Sequence, residues 1–351
     1  MWPGWASQAR ARTLKADQIH IEPLGRFGYT GARLFKAHFD KNRVGAPYVL
    51  KIDTVKNVNS EALAQTKAAA FYPNTYPQQV DSPSGGELSL LMYNMIVDSS
   101  GDITELREQY EKVGDPSDFL DSLDKMYALC KNAHSPEGIR TTFDAAYDKY
   151  LRNSRPDKLA ESLGTSEIKL EFFGGNYWNP TNIVKTIGQK EGTLAKGFIH
   201  GDLHPNNVVI NQHNKPSLID FAWAGEGDIL IDFVLMECSL RFLLFPHNID
   251  WPAHRRVAQM LVTEDGPAEI IQFYKENPNT VHQERYLRMA QAIQIVRSRA
   301  KDHAKSYWDF DNYLCGQFMM LYGLSKIEAY PFAVTVDALG IIGTKLLGEP
   351  S

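Results

Sequence analysis

The residues best suited to chemistry crowd into one stretch, Phe198–Phe221, which reads FIHGDLHPNNVVINQHNKPSLIDF. Val208–Ile210 is a short β run, Asn211–Pro216 has the composition of a turn, and Ser217–Phe221 is a second β run, so the stretch predicts a hairpin. Folded about His213–Asn214, it sets Asn207 opposite Asp220 at the open end, with Asp202 on the loop just before. An amide oxygen beside a carboxylate, with a second carboxylate nearby, suits Mg²⁺ carrying phosphates, because Mg²⁺ takes few protein ligands and fills its shell with phosphate and water. Two plainer readings stand beside this one. His200, Asp202 and His204 could form a transition-metal site, although three ligands on one short loop rarely suffice. The asparagines could serve only as turn residues.

The run His200-Gly201-Asp202-Leu203-His204-Pro205-Asn206-Asn207, followed by Ile219-Asp220-Phe221, resembles the catalytic loop and metal motif of aminoglycoside phosphotransferases and choline-kinase-like enzymes. The resemblance implies an α+β, protein-kinase-like fold of two lobes, a small β-rich one and a larger, mostly helical one. It implies ATP and Mg²⁺ as cofactors, Asp202 as the base that accepts the substrate hydroxyl proton, and Asn207 and Asp220 as metal ligands. It makes His200 a structural residue of the loop. Asp232, in GDILIDF, resembles the aspartate that braces this loop, and a helix N-cap or first-turn acid is its plainer role. Ala222 stands where protein kinases carry the glycine after Asp-Phe, as is common in small-molecule kinases.

Upstream, Gln18–Pro23, Ala32–Phe39 and Tyr48–Asp53 read as strands, with GRFGYTG between the first two. Gly25, Gly28 and Gly31 there could let the backbone approach phosphates, or could simply turn a hairpin. Lys51 lies inside an apolar strand, where an ammonium is costly unless paired. The resemblance gives it the α- and β-phosphates, with Glu61 on the next predicted helix as its partner. That helix is expected over residues 58–71, capped by Asn59 or Ser60. Leu88–Val97 reads as a strand leading to a hinge, where backbone groups near Tyr93 and Met95 would meet adenine. The expected division is residues 1–97 as a nucleotide-binding lobe and residues 98–351 as the lobe of the catalytic loop and the substrate.

Residues 115–152 show amphipathic helical spacing, residues 153–192 are mixed with GGNYWNPTN as a loop, and the chain from Asp232 onward is mostly helical. Tyr177, Trp178 and Trp223 could line a pocket or simply pack, and Arg288, Arg297 and Arg299 fall on a helix whose default is a solvated face. The net charge is -5 with no long basic run, which argues against nucleic acid as a main partner. Three scattered cysteines point to the cytoplasm rather than to a disulfide framework or a zinc site. The amino terminus lacks the apolar core of a signal peptide, and no stretch has the length of a membrane span. The expected partner is a small hydroxylated substrate. A protein kinase, or a nucleotide-binding scaffold in a larger complex, is the alternative.

Overall fold

The structure, a computed structural model, describes residues 20–23, 33–38, 48–72, 79–81, 84–85, 87–94, 104–112, 114–152, 157–164, 169–172, 175–244, 250–278, 280 and 282–350. Gly25, Gly28, Gly31 and Met95 lie outside these residues.

The amino-terminal sheet is antiparallel and holds β1 (His20–Pro23), β2 (Arg33–His38), β3 (Tyr48–Thr54), β4 (Gln79–Asp81), β5 (Ser84–Gly85) and β6 (Leu88–Asn94). Its order is β1-β2-β3-β6-β4, with β5 against β6. Alternation along β3 sends Leu50 into a small core with Ala37, Leu90 and Met92 and sends Lys51 to the other face. Helix α1 (Val55–Ala68) follows β3 directly and packs on β3 and β6. Its buried residues, Val58, Glu61, Gln65 and Ala68, fall on one stripe at helical spacing. The helix starts earlier than the sequence suggested. Thr54 is the N-cap, its hydroxyl accepting the Asn57 N–H at 3.3 Å, so Asn59 and Ser60 lie within the helix.

The rest is mainly helical: α2 (Leu106–Glu111), α3 (Ser117–Cys130), α4 (Phe143–Leu151), α5 (Lys158–Leu163), α6 (Pro180–Gly188), α7 (Leu230–Cys238), α8 (Trp251–Met260), α9 (Gly266–Glu276), α10 (Gln283–Ala304), α11 (Phe310–Leu324) and α12 (Phe332–Leu347). Short strands thread through it. β8 (Glu137–Thr142) and β14 (Gly225–Asp228) flank β11 (Glu191–Ile199), and β7 (Thr104–Glu105) and β13 (Pro216–Leu218) flank β12 (Val208–Ile210). β9 (Lys169–Phe172) pairs with β10 (Gly175–Trp178), so part of the expected GGNYWNPTN loop is strand. β8 also interrupts the helical reading of residues 115–152.

Every residue of α7 is buried, including Asp232 and Glu237, so both acids need partners. Glu237 takes a bidentate pair from Arg297 at 3.0 and 2.8 Å and a hydroxyl from Tyr313 at 2.9 Å. Arg288 donates to the carbonyls of Tyr110, Lys112 and Gly114, binding α10 to the end of α2. Arg288 and Arg297 are therefore buried rather than on a solvated face, and the part-exposed Arg299 pairs with Asp124. All three cysteines are free and buried, and no described helix is long and apolar enough to cross a membrane.

Candidate active site

Strand β11 delivers the chain to a loop that is held from below. Asp232, in the first turn of α7 and fully buried, accepts the N–H groups of His200 and Gly201, each at 2.8 Å. His134 reaches the same carboxylate at 3.0 Å, and His303 lies 2.9 Å behind His134. Gly201 has φ +78, and a Cβ there would fall 2.4 Å from the Trp223 carbonyl oxygen, so only glycine fits this turn. The Tyr150 hydroxyl donates to the Gly201 carbonyl at 2.5 Å. Burial holds the pKa of His200 below its ordinary value, although the nearby acids oppose this. The neutral ring donates from Nε2 to the Ile219 carbonyl at 2.9 Å and accepts the Asp202 N–H at Nδ1, at 3.3 Å. His200 thus ties the loop to the strand that precedes Asp220.

The hairpin forms with a register one step from the predicted one. Val208 faces Leu218 and Ile210 faces Pro216, so Asn207 meets Ile219, whose N–H donates to the Asn207 carbonyl at 3.0 Å. The turn holds five residues because the Asn211 side chain accepts the N–H groups of both His213 and Lys215, at 2.9 and 3.0 Å, and Asn214 is left-handed. Asp220 leaves the ladder through a left-handed backbone, with φ 64 and ψ 64. A non-glycine residue held in this conformation marks a place where the surroundings dictate the backbone.

What Asp220 meets is Lys51, at 2.8 Å, and the same ammonium lies 2.6 Å from Glu61. Lys51 and Glu61 are almost wholly buried, whereas the Asp220 side chain is 31 % exposed. Burial alone would lower the Lys51 pKa, but the charges and hydrogen bonds of Asp220 and Glu61 outweigh it and raise the pKa above the ordinary lysine value. Two carboxylates against one ammonium leave surplus negative charge on the exposed side of Asp220. Asn207 donates from Nδ2 to the Asp202 carbonyl at 2.8 Å and to its carboxylate at 3.2 Å, which leaves the amide oxygen as an acceptor. The His204 ring stands 3.7 Å from the Asp202 carboxylate.

The fold therefore joins Lys51, Glu61 and Asp220 in one cluster and Asp202 and Asn207 in another, with His200 bridging the segments that carry them. Tyr93 lies within β6, paired with Val49 and with Gln79. Lys149 and Tyr150, like His134 and His303 behind Asp232, were not singled out from the sequence. Lys149, on α4, donates to the Trp223 carbonyl at 3.0 Å, and Tyr150 holds Gly201. No spacing in the sequence links α4 to a loop some fifty residues later. Trp223, named as a pocket candidate, packs its ring 5.3 Å from Tyr150.

Hard oxygen donors with surplus negative charge suit Mg²⁺, and no group of three or more His, Cys, Asp or Glu that could hold a metal ion is found among the described residues.

Compared with known proteins, the chain matches over residues 144–309 the family described as ternary complex associated domain 9. No curated protein matches it. Among solved structures it is similar to choline kinase LicA from Streptococcus pneumoniae, with 11% identity, 98% of each chain covered and a TM-score of 0.50. It is also similar to an aminoglycoside-3'-phosphotransferase of type VIII, with 14% identity, 83% of this chain and 98% of that chain covered, and a TM-score of 0.44. The fold is protein-kinase-like.

Proposed function

We propose that the chain is a phosphotransferase that moves the γ-phosphoryl group of Mg-ATP to a hydroxyl of a small molecule. The observation that carries this reading is the meeting of Lys51 with Asp220, 169 residues apart in sequence, at the mouth of the His200–Asn207 loop. In this reading residues 1–97 form the nucleotide lobe and residues 98–351 the catalytic and substrate lobe. Gly25, Gly28 and Gly31 contribute backbone to the phosphates, and backbone groups of Tyr93 and Met95 meet adenine. Asn207 and Asp220 hold Mg²⁺, which when bound neutralises charge on the phosphates. Lys51, fixed by Glu61, holds the α- and β-phosphates. Asp202 orients the acceptor hydroxyl and takes its proton as the oxygen–phosphorus bond forms and ADP departs. Its partly exposed carboxylate, 34 % accessible on a loop pinned by Asp232, suits that task. The three buried free thiols suit a reducing cytoplasm.

A second reading is a nucleotide-binding component of a larger assembly, and the observation in its favour is the ternary-complex family matched over residues 144–309. Titration calorimetry tests what both readings share. Mg-ATP should bind, Lys51→Ala should weaken binding roughly tenfold or more, and Asp220→Ala should remove the dependence on Mg²⁺. Equal affinities in wild type and both variants would take the nucleotide away from this site.

A further inference from the structure

Lys149 is the unexplained charge beside the catalytic loop. It lies on α4 next to Tyr150, whose hydroxyl fastens that helix to Gly201. Its ammonium donates to the Trp223 carbonyl at 3.0 Å and sits 4.3 Å from the centroid of the Trp223 ring. The same carbonyl oxygen crowds Gly201, so the ammonium is anchored at the edge of the Asp202 loop. Burial lowers the pKa of Lys149 and the charge of Asp202 raises it, so the two groups feel each other. Among the described residues no carboxylate lies within 4.0 Å of the ammonium. The residue is only partly covered and stays exposed to solvent.

A lysine held by a carbonyl and a π face, without a carboxylate, is under-neutralised. Its remaining N–H donors, open to solvent, can take an anion. The aromatic face of Trp223, which could otherwise receive the cationic head of a substrate, is already covered by the protein's own cation. We infer that the acceptor carries an anionic group, carboxylate or phosphate, beside the hydroxyl it offers, and that Lys149 binds that anion. This inference rests on the phosphotransferase reading above and deepens it. Lys149 is then the residue that sets acceptor charge, favouring hydroxy acids and phosphorylated polyols over amino alcohols and amino sugars.

The test uses labelled ATP and two acceptor sets, each on one carbon skeleton and varied in charge: glycerate, glycerol 3-phosphate, glycerol and serinol, then gluconate, glucose 6-phosphate, glucose and glucosamine. Asp202-dependent transfer to anionic members should exceed transfer to neutral and amine members by roughly tenfold or more, the worth of a charge-assisted contact. Comparing carboxylate with phosphate members separates the two sources of the anion. Lys149→Met should raise the acceptor KM and abolish the charge preference while leaving the KM for ATP within about twofold, and Lys149→Arg should retain the preference. A preference for amines, or one unchanged in Lys149→Met, overturns the inference and leaves the phosphotransferase reading intact. A KM shift for ATP alone assigns Lys149 to the nucleotide and also overturns it. Transfer to no member, together with transfer to a neutral or cationic hydroxylated metabolite from a wider panel, also overturns the inference and leaves the phosphotransferase reading intact.

Discussion

Asp232 does for the loop what the loop's own sequence cannot do. The loop His200–Asn207 passes through a left-handed glycine, and its first two amides would be buried without acceptors were Asp232 absent. Asp232→Asn keeps one acceptor oxygen and turns an NH₂ group toward a backbone N–H or toward His134. Unfolding in denaturant should show a loss of about 2–3 kcal/mol, with turnover falling more than nucleotide affinity. Stability and turnover both equal to wild type would show that the loop does not depend on this carboxylate. That Asn207 lies on the loop of Asp202 and that Asp220 ends the neighbouring strand was legible in the sequence, because one hairpin carries these segments. Lys149 and His134 were not, because their partners lie far along the chain and only packing brings them together. The hairpin register was missed for a local reason. The Asn211 side chain stabilises a five-residue turn, which moves Asn207 opposite Ile219 and leaves a left-handed Asp220 to aim its own carboxylate.

Among the elements, the junction of β14 with α7 carries a titratable strain. Asp228 ends the strand, accepts the Leu230 N–H at 3.2 Å and leaves its other oxygen buried without a partner. Burial, opposed by backbone hydrogen bonds, lifts its pKa from the ordinary carboxylate range to about 7. In the unfolded chain the same group ionises near pH ~4. Its contribution to stability is therefore full below that pH and is lost as pH rises through about 7. Asp228→Asn mimics the protonated acid. Thermal or denaturant unfolding should find its advantage over wild type growing by roughly 1–3 kcal/mol between pH 5 and pH 8. An identical pH dependence in both proteins would mean that Asp228 does not hold its proton. The strong helices and β3 could be read from periodicity. The start of α1 could not, because Thr54 rather than Asn59 or Ser60 supplies the cap. Strand β8, EGIRTT, is largely exposed and carries no apolar alternation to announce it. Arg288 and Arg297 look like surface residues by type, and only the buried Glu237 and the carbonyl ends of α2 explain their burial.

For the whole molecule, the residues just after α1 meet the helical body through aromatic contacts that also touch the segment around His200 and Asp220. Phe71 stacks on Phe198 at 4.2 Å, and Tyr72 lies 5.6 Å from Phe221, whose ring is 4.6 Å from His200. The two-lobed α+β plan was legible from the motif and the distribution of strands and helices, while the class of acceptor was not, because the residues that would contact it are spread across the helical body. Phosphate transfer with Asp202 as base, the proposed function, can be tested directly. The most direct measurement is transfer of label from γ-labelled ATP to a panel of hydroxylated metabolites by wild type and Asp202→Asn, with ATP affinity measured on both. Transfer by the wild type to a small molecule, reduced by roughly a hundredfold or more in Asp202→Asn at nearly unchanged ATP affinity, is the result expected of a lost general base. Undiminished transfer by the variant, or transfer only to protein, would contradict the account.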